Sequence, residues 1–537
     1  MCNFAAEINP IYVMYRIRRI LYVCALMLLP LQMSAQYFLG DDEEEREKNA
    51  HIKIDIEAQS SMSKGRTPLW LNANKYGLSS LKGFNGYVRA SAIHEMKPYD
   101  SDEEKPFDYA YGVDLAAAYG YTSTVIIQQA YGEVRWLRGK LTVGSKNWKM
   151  ELKDNELSSG SQTLGKNARP VPQVRLALDE YWSIPGTKGI VNLKGHIAYG
   201  MLTDQNWQKD FTNQQSKYVE KGLYHSKAGF LKIGNAMQPL SLTLGVEMAT
   251  MFGGTSYIPN ADGTTTVIKN ESNLKAFWNA FLPTSGGGEV VETTYQNVAG
   301  NMLGSWVARL EYKNDYWSLA AYLDHFFEDH SGMFFLDYNG YGTGEEWQQK
   351  KERKYFLYKF KDMMVGFEYK KKLGSAVDAF VFETIYSKYQ SGPIYHDHTS
   401  TIPDHICGND NYYNHYILTP WQHWGQVIGN PLYQSPIYND DGVNEVRDNR
   451  FFALHLGVGG HPTDNISYRF LATYQDALGT YSKPYEEGYR KNVSLMAEAT
   501  YEFPKHWQVT GAIGMDRGNV LGNNFGGQIT VRKTFYK

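Results

Sequence analysis

The segment Leu240-Ser-Leu-Thr-Leu-Gly-Val-Glu-Met248 alternates apolar and polar residues along its whole length. Successive side chains of a β-strand point to opposite faces of a sheet. One face of this segment therefore carries only apolar residues: Leu240, Leu242, Leu244, Val246 and Met248. The opposite face carries Ser241, Thr243, Gly245 and Glu247. This alternation predicts a β-strand and does not fit the 3.6-residue period of a helix.

The same alternation returns along the rest of the chain. It is clearest in segments 191–201, 306–313, 363–370, 493–501 and 525–536. After the N-terminal region no segment reaches 18 consecutive apolar residues, so no transmembrane helix is predicted. A soluble sandwich, solenoid or propeller would bury the apolar faces in protein. A membrane barrel would turn them to lipid and keep a polar lumen.

Three features favour the membrane barrel. Strand ends are rich in aromatic residues, as an interfacial girdle requires; examples are Tyr119 with Tyr121, Tyr316 with Trp317, and Tyr501 with Phe503. The polar faces carry more Lys, Arg, Glu and His than a dry core tolerates, but they suit a watery lumen. The chain also ends inside an amphipathic strand, although its last residue is Lys537 and not an aromatic. We therefore expect an all-β, transmembrane outer-membrane β-barrel with little helix.

The N-terminal region has the pattern of a secretory signal peptide. Three arginines, at 16, 18 and 19, precede an apolar run from Ile20 to Leu31, and Ser34-Ala35 supplies small residues before Gln36. We assign residues 1–35 to this signal, with Met14 as an alternative start, and residues 36–50 to an acidic leader. The protein is then exported, and residues 51–537 form one barrel domain.

Composition and charge exclude several classes of protein. Among 537 residues there are 41 Tyr, 50 Gly and only 19 Pro, which argues against disordered, collagen-like and coiled-coil chains. The net charge is −3; the signal carries three arginines and one glutamate, a net of +2, so its removal leaves −5. Such a balance gives no reason to expect nucleic acid as a partner. One cysteine, Cys407, then remains, so neither an internal disulfide nor a cysteine metal site is expected.

The connections between predicted strands alternate in length. Short turns such as Lys313-Asn-Asp315 contrast with long stretches rich in Gly, Asn, Tyr and His. The long stretches are 150–188, 203–226, 253–300 and 387–450. Short turns on one side and long loops on the other are typical of outer-membrane barrels. We expect 150–188, 253–300 and 387–450 to lie in the lumen or outside the cell.

Phrases in these loops resemble those of a known family. They are Thr67-Pro-Leu-Trp-Leu-Asn-Ala-Asn-Lys-Tyr-Gly77, Ser158-Ser-Gly-Ser161, Asn167-Ala-Arg-Pro-Val-Pro-Gln173, Tyr224-His-Ser-Lys227, Phe252-Gly-Gly254, Gly300-Asn-Met-Leu-Gly-Ser305, His325-Phe-Phe-Glu-Asp-His-Ser-Gly332, Gln390-Ser-Gly-Pro393, Gly408-Asn-Asp-Asn-Tyr-Tyr-Asn-His415, Gly429-Asn-Pro-Leu432 and Asn449-Arg450. Together, and in this order, they resemble the Wzi family of capsule-assembly proteins from about residue 51 to the C-terminus.

The resemblance implies a barrel of about eighteen strands that acts as a lectin and holds capsular polysaccharide on the outer surface. It also implies a periplasmic helical bundle, but little sequence of helical period is present here. A reduced or absent bundle leaves open whether this chain couples to a capsule export system.

The 408–424 region offers the groups that a sugar polymer needs. Aromatic faces stack on pyranose rings, while Asn and Asp bind hydroxyls. The candidate carbohydrate-binding residues here are Asn409, Asp410, Tyr412, Tyr413, Asn414, His415, Trp421 and Trp424. The alternative is that the loop folds inward and plugs the lumen, with its Tyr and Asn residues bonded to one another. Both can hold at once.

Arg169 and Arg175 are further candidates for carbohydrate binding, because an arginine fork matches the carboxylate of an acidic sugar. Lys146 and Lys227 could assist them. The alternative explanation is a set of lumen ion pairs with Glu133, Glu247 or Glu383, and it is the favoured one.

Other patterns in the sequence do not match known metal, catalytic or phosphate-binding motifs. His396, Asp397, His398, Asp404 and His405 lie close together in sequence, but their spacing matches no metal motif. Adjacent residues such as Asp329-His330-Ser331 cannot adopt the geometry of a catalytic triad. The glycines at 253–254 and 286–288 lack the Lys-Ser/Thr of a phosphate-binding loop. We therefore expect neither an enzyme, nor a metal site, nor a cofactor.

Two functional hypotheses remain. The first is an outer-membrane protein that binds and anchors capsular or surface polysaccharide, with membrane lipid around it. The second is a porin or sugar-translocating channel, since eighteen strands enclose enough space for water unless the lumen is plugged.

Overall fold

In the computed structural model the described residues are 51–97, 106–235, 237–282, 300–328, 332, 336–341, 350–356, 359–390, 392, 394–395, 406–407 and 409–537. The predicted signal peptide and acidic leader, 1–35 and 36–50, lie outside them. Residues 52–535 form one compact unit. His51 and residues 536–537 lie outside this unit, and the N–H of His51 donates to the carbonyl of Lys537 at 2.7 Å.

The main unit is a closed antiparallel barrel. Its eighteen strands are β1 (Lys53–Lys64), β2 (Phe84–His94), β3 (Phe107–Tyr119), β4 (Val125–Trp136), β5 (Gly139–Ser145), β6 (Gln173–Ser183), β7 (Val191–Met201), β8 (Leu223–Ile233), β9 (Leu240–Phe252), β10 (Asn301–Lys313), β11 (Trp317–Glu328), β12 (Met363–Lys371), β13 (Ala379–Tyr386), β14 (Phe451–Thr463), β15 (Ile466–Ala477), β16 (Arg490–Phe503), β17 (Trp507–Gly518) and β18 (Asn524–Tyr536). Each strand pairs with the next along the chain, and β1 also pairs with β18. Closure removes the unpaired edges that an open sheet exposes.

The strands turn their apolar face outward and their polar face toward the interior, which is the reverse of a soluble protein. In β9 the apolar Leu240 and Leu244 are 54% and 44% exposed, whereas Thr243 and Glu247 are 5% and 1% exposed. The same alternation holds in β16, where Val493 and Tyr501 face outward. An apolar outer face around a polar interior is the arrangement that lipid imposes. The predicted all-β barrel class is confirmed.

Aromatic residues lie near both ends of the outer face. Tyr119, Tyr316 and Phe503 are exposed there. Tyr121, which the sequence paired with Tyr119 in the girdle, instead packs edge-on against Tyr87 with ring centroids 6.1 Å apart. The amide of Gln59 also donates to its hydroxyl at 3.5 Å, so Tyr121 belongs to the interior.

Smaller elements lie in the long connections. They are the helices α1 (Leu69–Asn72), α2 (Gln205–Phe211) and α3 (Leu274–Phe281), a 3₁₀ turn at Pro436–Tyr438, a sheet of Tyr218–Glu220, Thr255–Pro259 and Thr265–Lys269, and the hairpins Leu336–Tyr341 with Lys350–Phe356, Ile394–Tyr395 with Ile406–Cys407, and Gln422–His423 with Gln426–Val427. None of the helices in the described residues has the length and apolar composition to cross a membrane.

The predicted loop 150–188 is too long. Its second half contains the barrel strand β6, so the connection ends at residue 172 and a separate short turn spans 184–190. A register shift between Leu178 and Trp182 interrupts the alternation of β6. Because of this bulge, the strand does not alternate strictly and was not predicted from the sequence. Similarly, residues 223–226 belong to β8 and not to a loop.

The protein core lies inside the barrel. Connections 65–83, 146–172, 202–222 and 409–450 enter the lumen, and we call them together the lumen plug. One cluster of buried apolar residues includes Leu71, Leu157 and Trp421 of the plug together with Phe326 and Ile385 of the wall. The side chains of an eighteen-stranded wall would not fill its lumen, and here the long connections fill it.

Candidate functional site

Charged groups on the wall hold the plug in place. The carboxylate of Glu383 on β13 accepts from the hydroxyls of Ser158 and Ser159, each at 2.5 Å, and from the N–H of Ser159 at 2.8 Å. It also accepts from the hydroxyl of Tyr322 at 2.6 Å. A carboxylate that receives four hydrogen bonds out of water fixes both its own position and that of its donors. Ser158-Ser-Gly-Ser161 is thereby tied to the wall.

A buried ion pair ties the same connection to a second strand. The ammonium of Lys153 lies 2.7 Å from a carboxylate oxygen of Asp324 on β11. The N–H of Gln162 donates to the same oxygen at 3.1 Å. Burying a charge is costly unless it is paired, so this pair fixes the path of 146–172 through the lumen.

Further bonds join the plug to strands around the whole barrel. They include Trp70 Nε1 to Thr473 Oγ1 (3.1 Å), Leu69 N to Asp516 (3.2 Å), Ser161 Oγ to Glu247 (3.2 Å), His455 Nε2 with Leu157 O (2.8 Å), Gln128 Nε2 to Tyr76 O (2.9 Å), and Lys75 Nζ to Gln528. These partners lie on β4, β9, β14, β15, β17 and β18. The plug is therefore attached on all sides.

Three of the predicted sugar-binding aromatics lie within the plug. Tyr412, Tyr413 and Trp421 are 1%, 0% and 0% exposed. Tyr412 donates its hydroxyl to Asp362 at 2.9 Å, and the indole N–H of Trp421 donates to the carbonyl of Thr163 at 3.1 Å. In this conformation their rings present no face to a ligand, and their role is to pack the plug.

The other predicted residues of this connection lie nearer its surface. Asn409 is exposed, and Asp410 and Asn414 are half-buried. Asn414 donates to the carbonyl of Val446 at 2.8 Å. His415 accepts at Nδ1 from the N–H of Leu418 at 3.0 Å. Burial, assisted by the nearby charge of Lys217, lowers the pKa of His415 to about 3, so the ring is neutral and able to accept.

Arg169 and Trp424 are 255 positions apart in sequence but lie together in the plug. Arg169 is 6% exposed and Trp424 is half-buried. The guanidinium of Arg169 lies 4.2 Å from the centroid of the Trp424 ring and donates to Thr122 at 3.1 Å. Trp424 occupies a tight turn with φ 56°, and its indole N–H donates to Thr203 at 3.3 Å. The carbonyl of Arg169 pairs with His423 Nδ1 at 2.7 Å. We call Arg169, Trp424, Thr122 and Thr203 the aromatic corner.

The aromatic corner keeps its charge. Burial lowers the pKa of Arg169 to about 10, with the carboxylate of Asp204 opposing this shift. A guanidinium with that pKa remains protonated at neutral pH. The corner therefore places a protonated guanidinium beside a half-buried indole.

The remaining predicted cations have different partners. Lys146 pairs with Glu133 at 2.6 Å, as the ion-pair interpretation expected. Lys227 donates to the carbonyl of Phe281 in α3. Arg175 forms no ion pair and no hydrogen bond with any of the residues that the structure describes; its guanidinium lies 4.0 Å from the ring centroid of Trp148.

Among the described residues, no group of three His, Cys, Asp or Glu side chains could hold a metal ion. The histidine-rich residues 396–405 and the run 329–331 lie outside those residues. Sequence reasoning missed Lys153, Asp324 and Tyr322 as plug anchors, because nothing local distinguishes them from other lumen residues.

Comparison with known proteins defines the fold. No protein-family model and no curated protein matches the chain. Among solved structures, it is similar to Wzi of Escherichia coli, described as an outer-membrane protein involved in group 1 capsule assembly and a carbohydrate-binding β-barrel. The two share 11% identity with a TM-score of 0.53, over 92% of this chain and 87% of Wzi. The chain has the fold of an outer-membrane β-barrel.

Other similar barrels come from Pseudomonas aeruginosa. OprD shares 8% identity at a TM-score of 0.41, over 91% of this chain and 95% of that one. OccK2, solved in complex with glucuronate, shares 8% identity at a TM-score of 0.41, over 91% and 98% of the two chains.

Proposed function

We propose that this protein is a Wzi-like outer-membrane barrel that binds capsular or other surface polysaccharide and anchors it at the cell surface. In this account the N-terminal signal exports the chain, membrane lipid surrounds its apolar face, and a capsule export system delivers the polymer. The long connections face outward, as they do in outer-membrane barrels generally.

The observation that carries the proposal is a series of cation–aromatic pairs at the long-loop end of the barrel. Each pair places a basic group over an aromatic ring in, or next to, a long connection. With distances to the ring centroid, they are Arg169 over Trp424 (4.2 Å), Arg450 over Tyr481 (3.5 Å), Arg490 over Tyr485 (4.0 Å), Lys361 over Tyr389 (4.5 Å) and Lys491 over Tyr489 (5.1 Å).

This combination suits an acidic polysaccharide. Aromatic faces and edges pack against sugar rings, and arginines bind carboxylates through paired hydrogen bonds. Each contact is weak, but a polymer repeats its ligand along the surface and gains affinity through multivalency. The attached plug supports a binding role over a channel, because many bonds would have to break to open the lumen.

A triple variant tests the proposal on purified protein. Replacing Trp424, Tyr481 and Tyr485 by alanine removes three half-buried rings at the long-loop end. Tyr316→Ala removes an aromatic ring at the short-turn end and serves as the control. We expect the triple variant to retain the producing strain's labelled polysaccharide at least tenfold less well than the wild type, with the control unchanged. Equal retention by all three proteins would reject the surface site.

A further inference from the structure

A small cavity lies inside the lumen, between the plug and strands β6 to β9. Its volume is about 70 Å³, and Arg175, Trp148, Gln173, Lys146 and Lys149 are among the residues that line it. A water needs about 10–15 Å³ of such cavity volume, so the space has room for a carboxylate group.

Arg175 is the group that this cavity leaves unexplained. Its neighbours Val174 and Leu176 are 52% and 60% exposed on the outer face, so alternation turns Arg175 toward the lumen. Its Nε is buried without a hydrogen-bond partner, and no carboxylate in the described part of the chain lies within 4.0 Å of it. Arg175 as a whole is half-buried, and a guanidinium that is partly withdrawn from water normally has an anionic partner.

The nearby carboxylates are already engaged. Glu133 pairs with Lys146 at 2.6 Å, and Glu151 pairs with Lys194 at 2.7 Å. Asp179 pairs with Lys140, and Glu247 accepts from Ser161 at 3.2 Å. Each of these acids is therefore bonded to another group, and none forms an ion pair with Arg175.

Two other lining groups are also unsatisfied. Gln173 is 6% exposed and its Oε1 has no partner, and the indole N–H of Trp148 is buried without an acceptor. The lining carries the cations Lys146, Lys149, Arg169 and Arg175 against the anions Glu151 and Glu247. A ligand that satisfies these groups carries a negative charge, an acceptor for the indole N–H and a donor for the amide oxygen.

We propose that this cavity is a carboxylate-binding site in which Arg175, stacked on Trp148, forms a paired hydrogen bond with the ligand. The indole N–H of Trp148 donates to the carboxylate, and Gln173 binds an adjacent hydroxyl. Lys149, at the rim, is exposed, so a small ligand enters past it. The ligand is either a free hydroxy acid or the uronate group of a polymer. Arg169 borders both this cavity and the aromatic corner. The groups proposed to bind the carboxylate, Arg175, Trp148 and Gln173, lie outside the corner, so the site stands without the surface-binding proposal.

The test is calorimetric titration of the purified full chain with sodium glucuronate, acetate, inorganic phosphate and uncharged glucose. The variants are Arg175→Met, which keeps a long side chain without charge, Arg175→Lys, and Lys209→Met as a control at an exposed plug lysine. We expect the wild type and the control to bind glucuronate. We expect at least tenfold weaker binding by Arg175→Met, an intermediate result for Arg175→Lys, and no binding of glucose.

Thermal unfolding supplies a second readout. Without ligand, Arg175→Met should unfold at no lower temperature than the wild type, because it removes an unpaired, half-buried charge. Excess glucuronate should stabilise the wild type and Lys209→Met most, Arg175→Lys less, and Arg175→Met least. Equal glucuronate binding by Arg175→Met, absence of binding to the wild type, or a preference for phosphate would each overturn the carboxylate assignment.

A uronate-containing oligosaccharide distinguishes the two sources of the ligand. Competition by this oligosaccharide at the Arg175 site assigns a polymer group, and competition by free acid alone assigns a small hydroxy acid. Arg175→Met should retain surface polysaccharide normally if the two sites are separate. If Arg175→Met loses glucuronate binding but retains polysaccharide, the result supports the cavity site alone. If the triple variant loses polysaccharide but binds glucuronate, the result concerns only the surface site.

Discussion

Replacing Glu383 by alanine removes the carboxylate that holds the plug to the wall. Four donors then lose their acceptor: the hydroxyls of Ser158, Ser159 and Tyr322, and the N–H of Ser159. A hydrogen bond to a charged group contributes about 1.5–3 kcal/mol, and contributions within one network are not additive. We therefore expect the free energy of unfolding to fall by about 3–5 kcal/mol, which is less than the simple sum of four such bonds.

The assay is denaturant unfolding of the refolded barrel in lipid vesicles, followed by single-channel recording in a planar bilayer. Glu502→Ala is the control, since this carboxylate accepts one exposed bond, from Gln508 at 2.7 Å, and should change stability by less than about 0.5 kcal/mol. Release of the 146–172 connection should also produce conductance steps that the wild type lacks. A stability change below about 1 kcal/mol with unaltered conductance would refute the assignment of Glu383 as a plug anchor.

Two further predictions concern the lipid-facing wall and pH. Leu244→Arg places a charge on the outer face, so it should destabilise the barrel in lipid by up to about 2–4 kcal/mol; equal stability of variant and wild type in vesicles would contradict that orientation. Burial raises the pKa of Asp448 to about 8, although the N–H of Gly479 opposes the shift. Because an unfolded aspartate titrates near 4, the stability that this proton contributes is full below about pH 4 and is lost as pH rises through about 8. Asp448→Asn should flatten this decline, which is at most about 1.4 kcal/mol per pH unit, and parallel pH profiles for the two proteins would refute it.

The fold was predictable because its signal is local. Alternation in Leu240–Met248 assigns a strand, and the polar face of that strand, with Glu247, is too charged for a soluble core. Strand β6 was not predicted, because a bulge between Leu178 and Trp182 interrupts its alternation of apolar and polar residues. A bulge is defined by the pairing with a neighbouring strand, so it cannot be located from the sequence of one strand alone.

The site was less predictable because burial depends on tertiary contacts. Trp421 and Trp424 lie in the same connection and have the same chemistry, yet one packs the plug and the other borders the surface. Sequence named both Arg169 and Trp424 but gave no reason to join them, since only the folded plug brings them together. The connection enters the lumen, as the plug interpretation predicted, and carbohydrate binding by its residues stays a prediction.

The central claim is that the long-loop end of this barrel retains polysaccharide on the cell. The most direct measurement is the amount of cell-associated surface polysaccharide in a strain that lacks this protein, complemented either by the wild type or by the triple variant at Trp424, Tyr481 and Tyr485. The account predicts that the wild type restores retention and that the variant, present at equal level in the outer membrane, leaves the polymer in the medium. Unchanged retention in the deletion strain, or full rescue by the variant, would contradict it.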